Sequence, residues 1–347
     1  ASLVFTLFTF LMLGLVIWNV VGVYIGTAKL SMSEIVRDFE AMCVFVMTCL
    51  NVGCFFFIVF IHPILAITEL SGGKVAVVEG WMPRPQLEAA AALIREGGYT
   101  RVHTTGTIRP FAYYLKPGEA LDVVLRVPTS GEVVLEAAGL PGALVKLLSG
   151  NDTLCTWTMK ERIDTYRFQL NAPHTQVRLL SLNPQAPTGE ADNVFTLQCS
   201  ISGENVHLLQ RETLFVRTDG SLMKAWPTFA HMAAYQLHAA GIPEDRIQAV
   251  PSWGKPDSRS WANAAAFGLF AHSQGYTAVD VFTMGVHARR SRNLFRRGCG
   301  PEVNVGVVSI PDARCARADW WRHWKGWFYV LKEVAGSSEA YAVDLTH

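Results

Sequence analysis

The stretch Val279-Asp280-Val281-Phe282-Thr283-Met284-Gly285-Val286-His287-Ala288-Arg289-Arg290-Ser291-Arg292 decides how the chain is read. Its first half is apolar and β-rich, which predicts a buried strand. Thr283-Met284-Gly285 breaks the run, and the Arg- and Leu-containing residues that follow predict a helix. A strand passing to a helix through so short a loop is the joint of an open parallel α/β sheet. Ligands bind at such joints, at the carboxyl ends of the strands, where helix N-termini favour anions. His287, Arg289, Arg290 and Arg292 gather there, so the joint is a candidate site for a negatively charged group. A solvated helix face with ordinary charges is the competing reading.

The same alternation extends outward on both sides. Residues 74–79 have a buried-strand pattern turned by Gly80-Trp81-Met82-Pro83. Residues 86–97 predict a helix with Leu87, Ala90, Ala91 and Ile94 on one face, and residues 101–105 a second strand ending at Gly106. After Trp226 come a helix over 227–240, a strand over 246–250, a loop over 251–260, a helix over 261–274, the opening strand and helix, and a strand over 303–308. The aromatic tail, with Trp320, Trp321, Trp324, Trp327 and Phe328, predicts a helix packed on the sheet; lying on a membrane surface is the alternative.

Between these halves the period changes. Runs at 121–127, 132–136, 166–170, 176–181, 194–199 and 206–209 predict short antiparallel strands, separated by Gly, Pro, Asn and Asp. The expected organisation is a transmembrane hairpin over residues 1–70, an α/β domain over 71–110 and 225–347, and an inserted β-sandwich or jelly roll over 111–224. The fold class is therefore α/β, with a Rossmann-like parallel sheet, an antiparallel insertion and a two-helix membrane anchor.

The anchor follows from composition. Half of the 347 residues are apolar and 17% are charged, an unusually apolar balance for a soluble chain of this size. The apolar excess lies at the front. Residues 3–24 and 41–68 each exceed the roughly 20 residues that cross a bilayer as a helix, and residues 29–40 form a polar loop with Lys29 and Arg37 between them. A cleaved signal peptide is the rival for the first stretch, although no basic segment precedes it and no clear cleavage site follows. The positive-inside rule places the loop in the cytoplasm and the large domain on the periplasmic side of an inner membrane. His62, beside Pro63, either hydrogen-bonds at the membrane interface or ligates a pigment or haem.

The formal net charge of +1 excludes the basic field that nucleic-acid binding needs. The seven cysteines have no metal-ligand spacing, so no zinc site is expected. Cys155 and Cys199 are read as unconnected thiols, with a disulfide in an oxidising compartment as the alternative.

Several motifs together resemble the envelope family that includes YdcF, SanA and ElyC. They are Val77-Val78-Glu79-Gly80-Trp81, Thr105-Gly106, Gly241-Ile-Pro-Glu-Asp-Arg-Ile247, Arg259-Ser-Trp-Ala-Asn263-Ala264, Thr283-Met-Gly-Val-His287-Ala-Arg-Arg-Ser291, and Trp320-Trp321 with Glu333. The resemblance implies a membrane-anchored, Rossmann-like domain linked to cell-envelope polysaccharide metabolism. It also implies a site built from Thr105, Gly106, Arg259, Asn263, Thr283, Arg289 and Arg290 as ligand-binding groups, with His287 as catalytic acid or base. The chain departs from the pattern at Thr107, Pro251 and Ser260; at Pro251 many relatives carry an acidic residue. The inserted segment is similar to calcium-dependent xylan-binding carbohydrate modules through Tyr166-Arg-Phe168, Leu182-Asn183, Asp192-Asn193-Val-Phe195 and Ile201-Ser-Gly-Glu-Asn205-Val. That likeness implies calcium held by Asn183, Glu190, Asp192 and Asn193, with Pro184 standing where an acidic residue is expected.

Two functions compete. The first is a membrane-anchored protein that binds or processes a phosphorylated, nucleotide-like or polysaccharide-related ligand. The second is a non-catalytic accessory subunit of a larger membrane complex, for example photosynthetic or respiratory, docked through its hairpin and β-domain.

Overall fold

The computed structural model describes residues 32–185, 191–254 and 258–344. The chain divides into two compact units, Ala1–Ile61 and His62–His347.

The described part of the first unit is helical. Helix α1, Met32–Leu65, is continuous through residues 32–40, which the sequence reading took as a loop. Glu34, Arg37, Asp38 and Glu40 carry no helix-breaking Gly or Pro among them, so helix propensity prevails over polarity. The segment Val44–Leu65 is 22 residues long with a mean hydropathy of 2.5. At the helical rise it measures about 33 Å, long and apolar enough to cross a bilayer. Among the described residues it is the one such helix. The first expected span, residues 3–24, and Lys29 lie outside the described residues.

The second unit holds two sheets. The first has five strands, all parallel: β1 (Val75–Glu79), β2 (Arg101–Thr107), β12 (Ile247–Ser252), β13 (Ala278–Met284) and β14 (Asn304–Ile310). Their spatial order is β12-β2-β1-β13-β14. The chain thus starts in the centre, winds out one way, returns, and winds out the other way. The reversal falls between β1 and β13, and in a sheet of this kind ligands bind in the crevice above that point.

Successive strand residues face opposite sides, and both sides are covered. Ala76, Val78, Phe282 and Ile310 pack with helices α2 (Arg84–Glu96) and α3 (Phe229–Ala239). Val77, Val279, Val281 and Val305 pack with α4 (Arg259–Gln274) and α5 (Ala288–Cys299). That double burial is why these strands read as unbroken apolar runs. Helix α4 starts where the Ser258 side chain accepts from Trp261 N–H, and ends at Gly275 in the left-handed region (φ 66°). A final helix, α6, spans Trp324–Asp344.

Among the described residues, nine antiparallel strands, β3 (Tyr113–Leu115) to β11 (Leu222–Lys224), lie in the connection between β2 and α3. The incoming and outgoing chains are bridged at Ile108 and Thr228, and Arg109 N–H donates to the Pro227 carbonyl (3.1 Å). The Arg109 guanidinium fastens both chains, donating to the carbonyls of Trp226 (3.2 Å) and Ala112 (3.0 Å).

This part differs from a jelly roll of two separate sheets. Strands β4 (Ala120–Gly139) and β7 (Asp164–Leu182) run through both halves, so one sheet bends over a single core that includes Leu121, Leu135, Leu147 and Leu179. The expected turn at Pro128–Gly131 is instead a bulged bend inside β4. The register with β7 shifts there, and Gly131 has φ 118°. Residues 206–209, expected as a strand, form one helical turn because the Asn205 side chain accepts from His207 N–H (2.8 Å). Strands β5 (Leu144–Ser149) and β6 (Asp152–Thr158) were not anticipated.

Helices α4 and α5 touch at glycines: a Cβ on Gly268 would overlap the Gly298 carbonyl. We expect Gly268→Ala to force them apart and destabilise the fold by about 1–3 kcal/mol. A lower denaturation midpoint at an unchanged m-value, measured on detergent-solubilised protein, checks this; an unchanged midpoint contradicts the close approach.

Candidate functional site

The carboxyl ends of β1, β2 and β13 are shaped by three glycines. A Cβ on Gly80 would overlap the Phe229 carbonyl, and one on Gly106 would overlap Ala230 N, so both positions admit the start of α3 against the strand ends. Gly285, with φ 51°, turns the chain from β13 toward α5.

Below these turns lies a buried carboxylate. Glu79, the last residue of β1, is fully buried. Its Oε2 accepts from the hydroxyls of Thr283 and Ser291, the latter at 2.7 Å. His287 lies above it, with Nε2 3.9 Å from Glu79 Oε2 and Nδ1 3.0 Å from Glu333 Oε2. Arg290 Nη1 is 3.7 Å from the same Glu333 oxygen. The Trp81 ring meets the imidazole edge to face at 5.2 Å.

These neighbours set the charge on His287. Burial opposes protonation, but the Glu333 contact and the charges of Glu79 and Glu333 outweigh burial and the repulsion from Arg290, so its pKa is raised above 6.5. Burial pushes the Glu333 carboxyl upward, while His287, Arg290 and Lys332 pull it down more strongly, so its pKa is lowered. A raised pKa favours the protonated imidazole, and that form suits an acid or an anion-binding cation better than a general base.

Over this cluster opens a cleft of about 650 Å³. Gly106, Arg259, Asn263, His287 and Arg290 line it, as do Trp81, Thr107, Asp312, Arg314, Tyr329 and Lys332. Of the lining side chains, Arg259, Arg290, Arg314 and Lys332 carry positive charge against Asp312 and Glu333, an excess of two before His287 is counted. Asn263 Oδ1 and His287 Nε2 are buried with no hydrogen-bond partner among the described residues.

Three expected ligand-binding residues do not line the cleft. Thr283 is fully buried and serves Glu79, and Thr105 is fully buried in β2. Arg289 lies outside the lining. The sequence reading did not assign site roles to Glu79, Ser291, Asp312, Arg314, Lys332 and Glu333. For Glu79 there was a signal, a lone carboxylate closing an apolar strand. Nothing local links Glu333 to it.

Of the residues expected to hold calcium, Asn183 Nδ2 donates to Asn193 Oδ1 (2.9 Å), and Gln185 N–H donates to Asn183 Oδ1 (3.0 Å), so each amide oxygen already accepts one hydrogen bond. Asp192 is exposed, and Glu190 lies outside the described residues. No group of three His, Cys, Asp or Glu side chains placed to hold a metal occurs among the described residues. Cys155 and Cys199 are free thiols, their pKa pushed up by burial to about 11 and about 12. His62 Nε2–H donates to the Cys315 carbonyl (2.9 Å), a structural use of the ring nitrogen that a metal would otherwise take.

No protein-family description matches the chain, and none of the curated proteins matches it. Among solved structures it is similar to a family two carbohydrate esterase from Cellvibrio japonicus, at 12% identity, 66% of this chain, 77% of that chain and a TM-score of 0.21. It is also similar to DesR, a β-glucosidase from Streptomyces venezuelae in complex with D-glucose, at 12% identity, 71% of this chain, 32% of that chain and a TM-score of 0.20. Likeness at this level carries no argument about fold or activity.

The His287–Glu333 pair makes stability depend on pH. The raised imidazole contributes fully below 6.5 and its contribution is lost as pH rises through the folded value. The lowered carboxyl contributes fully above 4.5 and its contribution is lost as pH falls through the folded value. The excess stability of wild type over His287→Gln is therefore expected to peak between those limits and shrink on both sides. Denaturation of both proteins across the pH range checks it; a pH-independent difference contradicts the pairing.

Proposed function

We propose that the chain is a membrane-anchored envelope protein of the YdcF, SanA and ElyC type. In this reading it binds or processes a phosphorylated, nucleotide-like or polysaccharide-related ligand in the cleft above β1 and β13. The observation that carries this reading is the excess positive charge of a cleft at the sheet's reversal point. Arg259 lies in the first turn of α4 and Arg290 in the first turn of α5, where the helix ends add to the attraction for an anion. Unpartnered Asn263 Oδ1 and His287 Nε2 offer a hydrogen-bond acceptor and donor to the same ligand. His287, kept protonated, then neutralises charge or delivers a proton to a leaving oxygen. In this reading the helix Val44–Leu65, long and apolar enough to span a bilayer, anchors the domain, and the proposed location is the periplasmic side of the inner membrane.

A second reading is favoured by one observation. Glu79 and Glu333 already surround His287, and Glu333 also neutralises Arg290, so part of the cluster holds the fold together. Pro251 is the penultimate residue of β12, before Ser252, where the resemblance implies a carboxylate in many relatives. On this reading the protein is a non-catalytic accessory subunit of a membrane complex, for example photosynthetic or respiratory. Purification in mild detergent followed by mass spectrometry separates the two: stoichiometric partner subunits favour the accessory role, a lone chain carrying a phospho-ligand the first.

The direct test uses Arg259, which is exposed in the cleft and outside the Glu79 network. Loss of a charge-assisted contact of about 1.5–3 kcal/mol should weaken binding about 10- to 100-fold. Thermal shifts with inorganic phosphate, pyrophosphate and a nucleoside diphosphate are expected to saturate for wild type and to need far higher concentrations for Arg259→Ala. The ligand reading fails if none of these anions stabilises wild type more than the variant.

A further inference from the structure

One face of α6 is apolar and uncovered. Trp324, Phe328 and Leu331 stand four and three residues apart, on a single helix face, and are 74%, 56% and 51% exposed. Trp321, just before the helix, adds a fourth large apolar group. The other face is packed: Val330 is buried, and a Cβ on Gly326 would overlap the Trp320 carbonyl. Contiguous apolar groups of this size mark an interaction surface. Cations accompany them. The Arg322 guanidinium lies 5.0 Å from the Trp321 ring and the Lys325 ammonium 6.0 Å from the Trp324 ring.

What covers this face is indicated by its neighbour in space. His62 lies in the last turn of α1, at the end of the 22-residue apolar segment. It donates to the backbone carbonyl of Cys315, and Cys315 Sγ in turn contacts the Gly326 carbonyl at 4.0 Å. The segment that carries Trp321 and Trp324 thus starts at the point where the apolar helix stops and folds back on its own first residue. The end of a membrane span lies at the level of the lipid headgroups, where Trp rings with basic neighbours are favoured.

We propose that the face formed by Trp321, Trp324, Phe328 and Leu331 lies in the headgroup layer of the bilayer that α1 crosses, as a second, interfacial attachment to anionic lipid. The proposal rests on reading α1 as a membrane span. Apolar rings enter the acyl boundary while Arg322 and Lys325 remain among the phosphates, the arrangement of an amphipathic interfacial helix.

Quenching by brominated lipid tests it, on the full chain reconstituted into vesicles of phosphatidylcholine and phosphatidylglycerol brominated near the top of the acyl chains. Flotation with the vesicles checks the span separately. The quenched share of tryptophan emission is expected to fall in Trp324→Phe and not to fall in Trp157→Phe, on the inserted sheet. Equal quenching in wild type and Trp324→Phe, with both floating, overturns the proposal and leaves the span standing. Failure to float overturns both. A Trp324→Glu variant that converts a dimer to a monomer by light scattering would assign the face to a second copy of the chain, and so also overturn it.

Discussion

The buried carboxylate of Glu79 is the constraint on which the carboxyl end of the parallel sheet depends. An isolated charge so far from water costs several kcal/mol, so its surroundings must supply donors. Thr283 supplies one from β13, Ser291 one from α5, and His287 brings positive charge from the turn between them. Those residues come from a single β-turn-α passage, and the carboxylate fixes that passage relative to β1. His287 then passes the constraint on through Glu333 to α6. One acidic side chain at a strand end therefore orients four elements. His287, which lines the cleft, is thereby held between two carboxylates, Glu333 and Glu79, and both favour its protonated form.

The same network divides the basic residues of the site into two kinds. Arg290 shares Glu333 with His287, and Arg314 is held by Asp312 at 3.0 Å, so both are partly neutralised and positioned. Arg259 and Lys332 extend from α4 and α6, outside the Glu79 cluster. Two of the cleft's four cations are thus held in place by carboxylates, and fixed, paired charges are pre-organised.

How much of this the sequence carried depends on whether the decisive forces are local. Strands β1 and β13 were legible because burial on both faces makes them continuous apolar runs, and Gly80 and Gly285 punctuate their ends. His287, Gly106, Arg259, Asn263 and Arg290 reach the cleft because each sits at a strand-to-helix joint, which spacing reveals. Thr105 and Thr283 sit at such joints too, but the alternation of strand side chains turns them into the interior, and a shift of one residue reverses that outcome. Glu333 was not assignable to the site: its partners His287 and Arg290 are remote in sequence, and no periodicity encodes that meeting. In the insertion, Pro128 and Gly131 fit a bulge as well as a turn, so composition alone could not tell one bent 20-residue strand from two short ones. At Val206–Leu209 the apolar residues favour a strand, and a single Asn205 cap overrides them.

Residues 312–333 combine roles that these separate signals would not have joined. Asp312, Arg314, Tyr329, Lys332 and Glu333 form one wall of the cleft. Cys315, within the same segment, accepts the hydrogen bond from His62 where the apolar helix ends. Trp320 is buried and Gly326 is pinned against its backbone, so the segment is a packed body and not a loose loop. Packed interiors transmit displacement because they have no spare volume to absorb it. A shift of the segment at Cys315 must therefore also move Glu333 or break its contact with His287. The position of the cleft wall and the position of the helix end are, in this fold, set by one element.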